Sequence, residues 1–381
     1  MVTNELVSTC HIAPGHRVHH MRIYHRFCYS LLDAGYKVSL IAHADESIDE
    51  KDGLQLMLLD SYAPNWKWRL KERWMRNSQA FRWALSCDAD LFHFYSPEFI
   101  PWAVRLKRRT GKPVVFDCME DFESYLWQRP NISGVLRPIL AKALRHYLWR
   151  ASLELDAITV ADPGTARIFQ GGKARVVPIL NLPRLDLFPG LSQVGSAKFD
   201  LVYPGGLSRQ RLEFVLAIDD ALVLRQRPVS WYFLGIIHDL DWFIGEIRRR
   251  SAVERFTIGG YIPHDQVSHH MRRARIGIIP LPCWPKYLNN IPQKLFEYMA
   301  LRMPVVLSDL PPSRPFVGDG KCAVMVNPDS PDEYADAIIS LLDNPAVRAR
   351  MGEEGRKRIE SKYNWQIESG KLLNLYADLL A

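Results

Sequence analysis

The chain has 381 residues with a net charge of +7, and its 48% hydrophobic and 24% charged residues exclude a disordered, collagen-like or low-complexity protein. Its length suits two domains rather than one core, and no apolar run approaches the ~18 residues needed to cross a bilayer. Six scattered cysteines with no CxxC pair argue for reduced thiols and against a disulfide framework or zinc site.

The pattern opens without a signal peptide, which sets the expectation of a cytoplasmic protein. Leu6 to His11 reads as a strand and Ile12 to His16 as the loop leaving it, where Gly15 would let a ligand approach the backbone. A helix is expected from about His19 to Ala34, capped by Gly35 and followed by a strand from Lys37 to Ala42. Together they form a βαβ unit of a parallel sheet.

Trp66 to Trp83 holds six basic residues, one acid and four Trp. A basic helix with Trp on its apolar side suits an interfacial membrane helix, with Trp66, Trp68, Arg69, Arg73 and Trp74 as contacts. The alternative is a solvated helix whose aromatics pack on the domain. Nucleic acid is not expected, because no binding motif accompanies the charge.

Asp90 to Tyr95 and Pro113 to Cys118 read as buried strands. Ligands gather beyond the carboxyl ends of parallel strands, so His93, Tyr95, Ser96, Glu98, Asp117, Glu120 and Asp121 are candidates for a cleft floor. Leu136 to Glu154 is a long basic helix, with strands at Ala157 to Val160 and Ala174 to Val177. Pro178 to Pro189, with its prolines, reads as the linker.

A second βα pattern starts at Lys198. Strand Leu201 to Tyr203 runs into Pro204-Gly205-Gly206, and a helix is expected near Arg211, with Arg209 and Arg211 just before its N-terminus. Guanidinium groups there can take a diphosphate bidentately. The GK[ST] ending of a Walker A loop and the GxGxxG pattern are both absent. Strands follow at Trp231 to Leu234, Phe256 to Ile258 and Ile276 to Pro280, and Asp239-Leu-Asp241 reads as a surface loop. In the run from Asn289 to Asp309, Pro292 fits a first helical turn, and Lys294 and Glu297 lie three apart, able to share a face. Three helices close the chain, the last from Trp365 to Leu380.

The run PQKLFEYMALRMPVVLSD resembles the donor-site signature of family 4 glycosyltransferases. In order along the chain, MRIYHRFCYSLLDAGYKVSLIA, HFYSPEFIP, VVFDCMED, VPILNLPRLDLFP, LVYPGGLSRQR and KYNWQIESGKLLNLYADLL resemble other parts of that family. The resemblance implies the GT-B fold: two facing Rossmann-like α/β domains with an inter-domain cleft, and a C-terminal helix crossing back to the first. The expected domains are 1–188 with about 364–381 for the acceptor, and 189–363 for a nucleotide-diphosphate sugar.

It further implies a retaining hexosyltransferase using a UDP- or GDP-sugar without cofactor or metal. Its acceptor would be a glycan or lipid-linked saccharide, and the basic Trp-rich helix with the charge bias of the acceptor domain suggests a peripheral protein on the inner face of an anionic membrane. Arg211, Glu297, His93 and Glu120 fall at catalytic positions. Gly15, Gly206, Arg209, Arg211, Tyr261, Asn290, Lys294, Leu295 and Glu297 fall at donor-binding ones, and Tyr95, Ser96, Glu98 and Asp121 in the acceptor or sugar pocket. The chain departs from the family pattern where Asn289 replaces the first acid of Glu-x7-Glu, and where His93-Phe-Tyr95-Ser96 replaces His-x-His-Asp. Met119 and Met21 replace a further His and Asp. These departures keep open a second reading, a non-catalytic scaffold of a glycan-assembly complex.

Overall fold

The computed structural model describes residues 6–44, 53–59, 70–127, 132–190 and 197–381. The chain divides into two compact units, Met1–Asn181 with Ile367–Ala381, and Leu182–Gln366. The division falls inside the proline-rich stretch, earlier than its end. Asn181 stays with the first unit because its side-chain oxygen accepts from Arg22 at 3.0 Å and from Arg26 at 3.4 Å.

In the first unit β1 (Ser8–Arg17) leads through a π-helical turn (Met21–Cys28) into α1 (Tyr29–Asp33) and β2 (Lys37–His43). Next come β3 (Leu54–Leu59), α2 (Leu70–Ser86), β4 (Leu91–Phe94) and α3 (Ile100–Thr110). The chain continues through β5 (Val114–Cys118), α4 (Phe122–Trp127), α5 (Leu136–Glu154), β6 (Ala157–Val160) and β7 (Arg175–Pro178). The sheet is wholly parallel in the order β3-β2-β1-β4-β5-β6-β7. Because helices cover both faces, β4, β5 and β6 are buried on both sides and read as continuous apolar runs. Two expectations need correction here. The loop expected at Ile12 to His16 is still strand, with a register irregularity before pairing resumes at Arg17 and His43. The single helix expected from His19 is a π turn followed by a short α-helix.

The second unit runs β8 (Phe199–Pro204), α6 (Arg209–Leu224), β9 (Trp231–Leu234), α7 (Leu240–Arg249), β10 (Phe256–Ile258) and α8 (His264–Met271). It continues through β11 (Ala274–Ile279), α9 (Gln293–Ala300), β12 (Val305–Ser308), α10 (Arg314–Val317) and β13 (Ala323–Val326). The helices α11 (Pro331–Asp343), α12 (Pro345–Ser361) and α13 (Trp365–Leu380) end the chain, most of α13 counting with the first unit. Its parallel order is β10-β9-β8-β11-β12-β13. Asp239-Leu-Asp241 is not a surface loop but the entry to α7, which forms because Phe243 and Ile247 share one buried face at i, i+4 spacing. In each sheet the order reverses once, beside β1 and β4 and beside β8 and β11. Such reversals leave a crevice at the carboxyl ends of the strands.

Candidate functional site

In the second unit, β8 delivers the chain to Gly205, which takes a φ of +107° that only glycine adopts readily. Gly235, after β9, has φ +135° and packs on it. A Cβ at Gly235 would lie 2.7 Å from the Gly205 carbonyl, so the two turns can touch only as glycines. Gly235 N–H donates to the Gly260 carbonyl at 2.6 Å, joining the turn after β10. Gly206 remains open, with His238 Nε2 3.6 Å from where its Cβ would stand. Tyr261, beyond these turns, is 75% exposed.

Two cations converge on this turn. Arg211, in the first turn of α6, donates from Nη1 to the Tyr203 hydroxyl at 2.7 Å, and its Nε–H is buried without an acceptor. Lys294, in the first turn of α9, holds Nζ 5.0 Å from the Tyr203 ring centroid and 3.1 Å from the Cβ position of Gly205. Neither has a carboxylate partner among the described residues. Tyr287 lies near enough for Arg211 to act on its phenol, which burial pushes up against that pull. Tyr203, His238 and Tyr287 were not singled out by the sequence reading. Tyr203 looked like one more apolar strand residue, and nothing in the spacing marks its hydroxyl.

Other expected donor residues sit differently. Arg209 and Arg211 lie inside the first turn of α6 rather than before it, and two residues apart on a helix they face different ways. Arg209 bonds Glu213 at 3.2 Å and stacks over Trp242 at 4.6 Å, away from Arg211. Leu295 is a core side chain, and its N–H donates to the Pro292 carbonyl at 3.0 Å, so neither part is offered to a ligand. Glu297 is buried, and its Oε1 accepts from Gln293 Nε2 at 2.7 Å. Lys294 turns to Tyr203 instead of sharing a contact with it. Pro292 is the N-cap rather than a first-turn residue. Asn290 is half-buried in the loop before it, its N–H donating to the Lys286 carbonyl.

In the first unit, a small open cleft is lined by Pro14, Gly15, Arg73, Arg76, Asn77, Ser96 and Glu98. It lies at the reversal between β1 and β4. His43 Nε2 donates to the Pro14 carbonyl at 2.8 Å and fixes the end of β1 beside it. Arg73, expected on a membrane, ion-pairs with Glu98 here. Both side chains of the pair stay partly exposed at the rim of the cleft. Trp74 is 61% exposed beside Trp102, while Trp66, Trp68 and Arg69 lie outside the described residues.

His93 and Tyr95, expected to face a sugar, are sealed in the interior. His93 Nδ1 pairs with the Tyr376 hydroxyl at 2.8 Å, and the Tyr95 hydroxyl with His11 Nδ1 at 2.5 Å. Below them Asp117 receives Arg22 through Nε at 2.7 Å and Nη2 at 2.8 Å, and Thr159 Oγ1 at 2.6 Å. Tyr376 comes from α13, so a helix distant in sequence closes this strand end. Burial holds both imidazoles well below the usual histidine range, with His93 adding repulsion at His11 and Arg22 at His93. Burial likewise pushes the Tyr95 and Tyr376 phenols up. Asp121 is also occupied, its carboxylate accepting from Ser124 N at 3.1 Å and Ser124 Oγ at 2.5 Å to start α4. Glu120 is exposed after β5.

Comparison with known proteins adds independent findings. Residues 208–358 match the family model described as glycosyl transferases group 1. The phosphatidyl-myo-inositol mannosyltransferase of Mycobacterium leprae is 32% identical over 318 residues, 79% of this chain and 76% of that protein. The alpha-D-kanosaminyltransferase of Streptomyces kanamyceticus is 25% identical over 183 residues, 47% of this chain. The matched segment spans only 45% of that relative's length. Among solved structures, sucrose-phosphate synthase from Thermosynechococcus elongatus superposes with a TM-score of 0.77 at 15% identity, covering 98% and 99% of the two chains. Anabaena HepE, in complex with UDP and glucose, gives 0.70 at 14% identity, with coverage of 98% and 99%.

Proposed function

The chain belongs to the group 1 glycosyl transferases and has the GT-B fold, and on that premise we propose that it moves a hexose from a UDP- or GDP-sugar to a glycan or lipid-linked saccharide with retention of anomeric configuration. The observation that carries this reading is the convergence of Arg211 and Lys294 on the Gly205-Gly206 turn with no carboxylate to neutralise them among the described residues. A diphosphate supplies the missing charge, and a guanidinium can grip it through two N–H groups. As the sugar–phosphate bond breaks, negative charge grows on the departing diphosphate. The two cations and the free N–H groups opening α6 stand where that charge develops. In this reading no metal ion is needed.

On the acceptor side, the first-unit cleft offers Gly15, Ser96 and Glu98 to hydroxyl groups, and exposed Glu120 is the remaining acid at a strand end. One relative is named for phosphatidyl-myo-inositol, a lipid, which supports a lipid-linked substrate, and with it we propose a peripheral position on the inner face of a membrane.

Calorimetric titration with UDP and GDP tests the reading. Binding of one of them is expected, and Arg211→Ala should weaken it by about 10- to 100-fold, the worth of a hydrogen bond to a charged group, with an unchanged melting temperature. Folded wild-type protein that binds neither nucleotide would overturn it. Turnover with a donor panel should persist in EDTA and give a product whose anomeric configuration, read by NMR, matches the donor. Nucleotide binding without turnover on any donor would favour the scaffold.

A further inference from the structure

The helix α5 has two apolar stripes. One, Ala141, Leu144, Leu148 and Ala151, packs into the first-unit core. The other runs along the adjoining side, about a quarter turn round the helix, at i, i+3, i+4, i+7 and i+11: Leu136, Ile139, Leu140, Ala143 and Tyr147. It faces out, with Leu136 52%, Ile139 62%, Leu140 42% and Tyr147 37% exposed, extended by Val135 at 78%. An apolar patch of this size on the surface of a folded chain marks a contact site.

The charge around the stripe is one-sided. From 124 to 153 the chain contains no Asp or Glu, while it contains Arg129, Arg137, Lys142, Arg145 and Arg150. Arg145 is matched by Glu123 at 2.6 Å, but Lys142 and Arg150 have no partner among the described residues and flank the stripe on the same outward side. An apolar stripe bordered by cations and free of acids fits a negatively charged surface with an apolar interior just beneath it.

We propose that this outer face of α5 is the surface by which the protein rests on an anionic lipid bilayer. Leu136, Ile139 and Leu140 enter the headgroup boundary, and Lys142 and Arg150 pair with lipid phosphates. This deepens the membrane half of the proposed function and rests on that half alone. It moves the contact from the Trp-rich α2, whose Arg73 pairs with Glu98, to a helix whose outer apolar side chains are exposed among the described residues, with the Tyr147 hydroxyl alone donating to the Pro97 carbonyl.

Co-sedimentation of the full chain with vesicles of phosphatidylcholine alone, or with 30 mol% phosphatidylglycerol, tests the assignment. At least ~10-fold stronger partitioning onto the anionic vesicles is expected, falling with added salt. Ile139→Glu/Leu140→Glu should reduce it by at least ~10-fold and Lys142→Glu/Arg150→Glu by a similar factor, with melting temperatures unchanged because all four side chains are exposed. Trp74→Ser should leave it within about twofold. Unchanged partitioning of the Ile139/Leu140 variant overturns the proposal. So does a wild-type dimer that this variant dissociates in sedimentation velocity while no vesicle binding occurs, since a second copy would then be the occupant. UDP and GDP titration of the same preparations separates this outcome from the donor reading.

Discussion

In the first unit the carboxyl ends of β1, β4, β5 and β6 run into a closed polar network, whereas in the second those of β8, β9 and β10 run into glycine turns beside two unneutralised cations. The strand orders reverse in the same way, so topology offers a crevice in both. What differs is the filling. Arg22 meets Asp117 with two hydrogen bonds, and the imidazoles beside them stay uncharged, so the buried Arg22–Asp117 charge pair is matched inside the protein. Among the described residues Arg211 and Lys294 meet the Tyr203 ring and its hydroxyl, with the Tyr287 phenol near Arg211, and no carboxylate. A matched network holds shape, while an unmatched pair of cations waits for an anion.

Breaking the first network should cost the most. Asp117→Ala leaves the Arg22 guanidinium buried without its counter-charge, a loss of about 3–5 kcal/mol, or on the order of 10 °C in the melting temperature of the first unit. Nucleotide affinity of the second unit should not change. A melting temperature within 2 °C of wild type, roughly below 1 kcal/mol, would remove the distinction between the two strand ends.

Acid provides the next probe. Because His11 and His93 stay neutral in the folded chain, well below 6.5, the unfolded chain takes up protons there that the folded chain refuses. Their contribution to stability is therefore present above about pH 6.5 and is lost progressively as pH falls below it. Thermal melts across that range should show the decline, and His11→Gln/His93→Gln should lessen it, leaving the share of His20, whose pKa burial lowers to about 3. A decline of equal slope in the double variant would place the titrating groups elsewhere.

The smallest effect sharpens the second site. Arg209→Ala should change UDP or GDP affinity less than about twofold, because Arg209 is an exposed residue paired with Glu213 over Trp242. A loss as large as that of Arg211→Ala would bring Arg209 back into the diphosphate site.

Much of this was legible in the chain. Strands such as Ala157–Val160 and Trp231–Leu234, and the helices Leu136–Glu154 and Trp365–Leu380, follow directly from apolar runs and periodicity bounded by Pro and Gly. Short elements escaped. β3 and β13 are short strands that exist because the sheet beside them needs extending, and α3, though Ile100, Ala103 and Leu106 share its buried face, was hidden behind the cleft-loop reading of the residues before it. At the site, Gly205, Gly206, Arg211 and Lys294 could be picked out as residue types suited to phosphate. Arg22 could not, since it sits in a helix otherwise read by its apolar residues Ile23 and Phe27.

The sequence alone determined two parallel α/β units, the glycine turn and the cations placed near it, because those depend on local periodicity and backbone freedom. Only the tertiary structure decided which polar residues would be spent on one another. His93 and Tyr95 look like ligand groups until Tyr376 and His11, from distant parts of the chain, reach their ring nitrogen and hydroxyl. Arg73 finds Glu98, 25 residues further on, only once α2 packs beside the segment that follows β4. Desolvation forces each buried polar group to find a partner, and which partner is in reach is set by the packing of elements far apart in sequence.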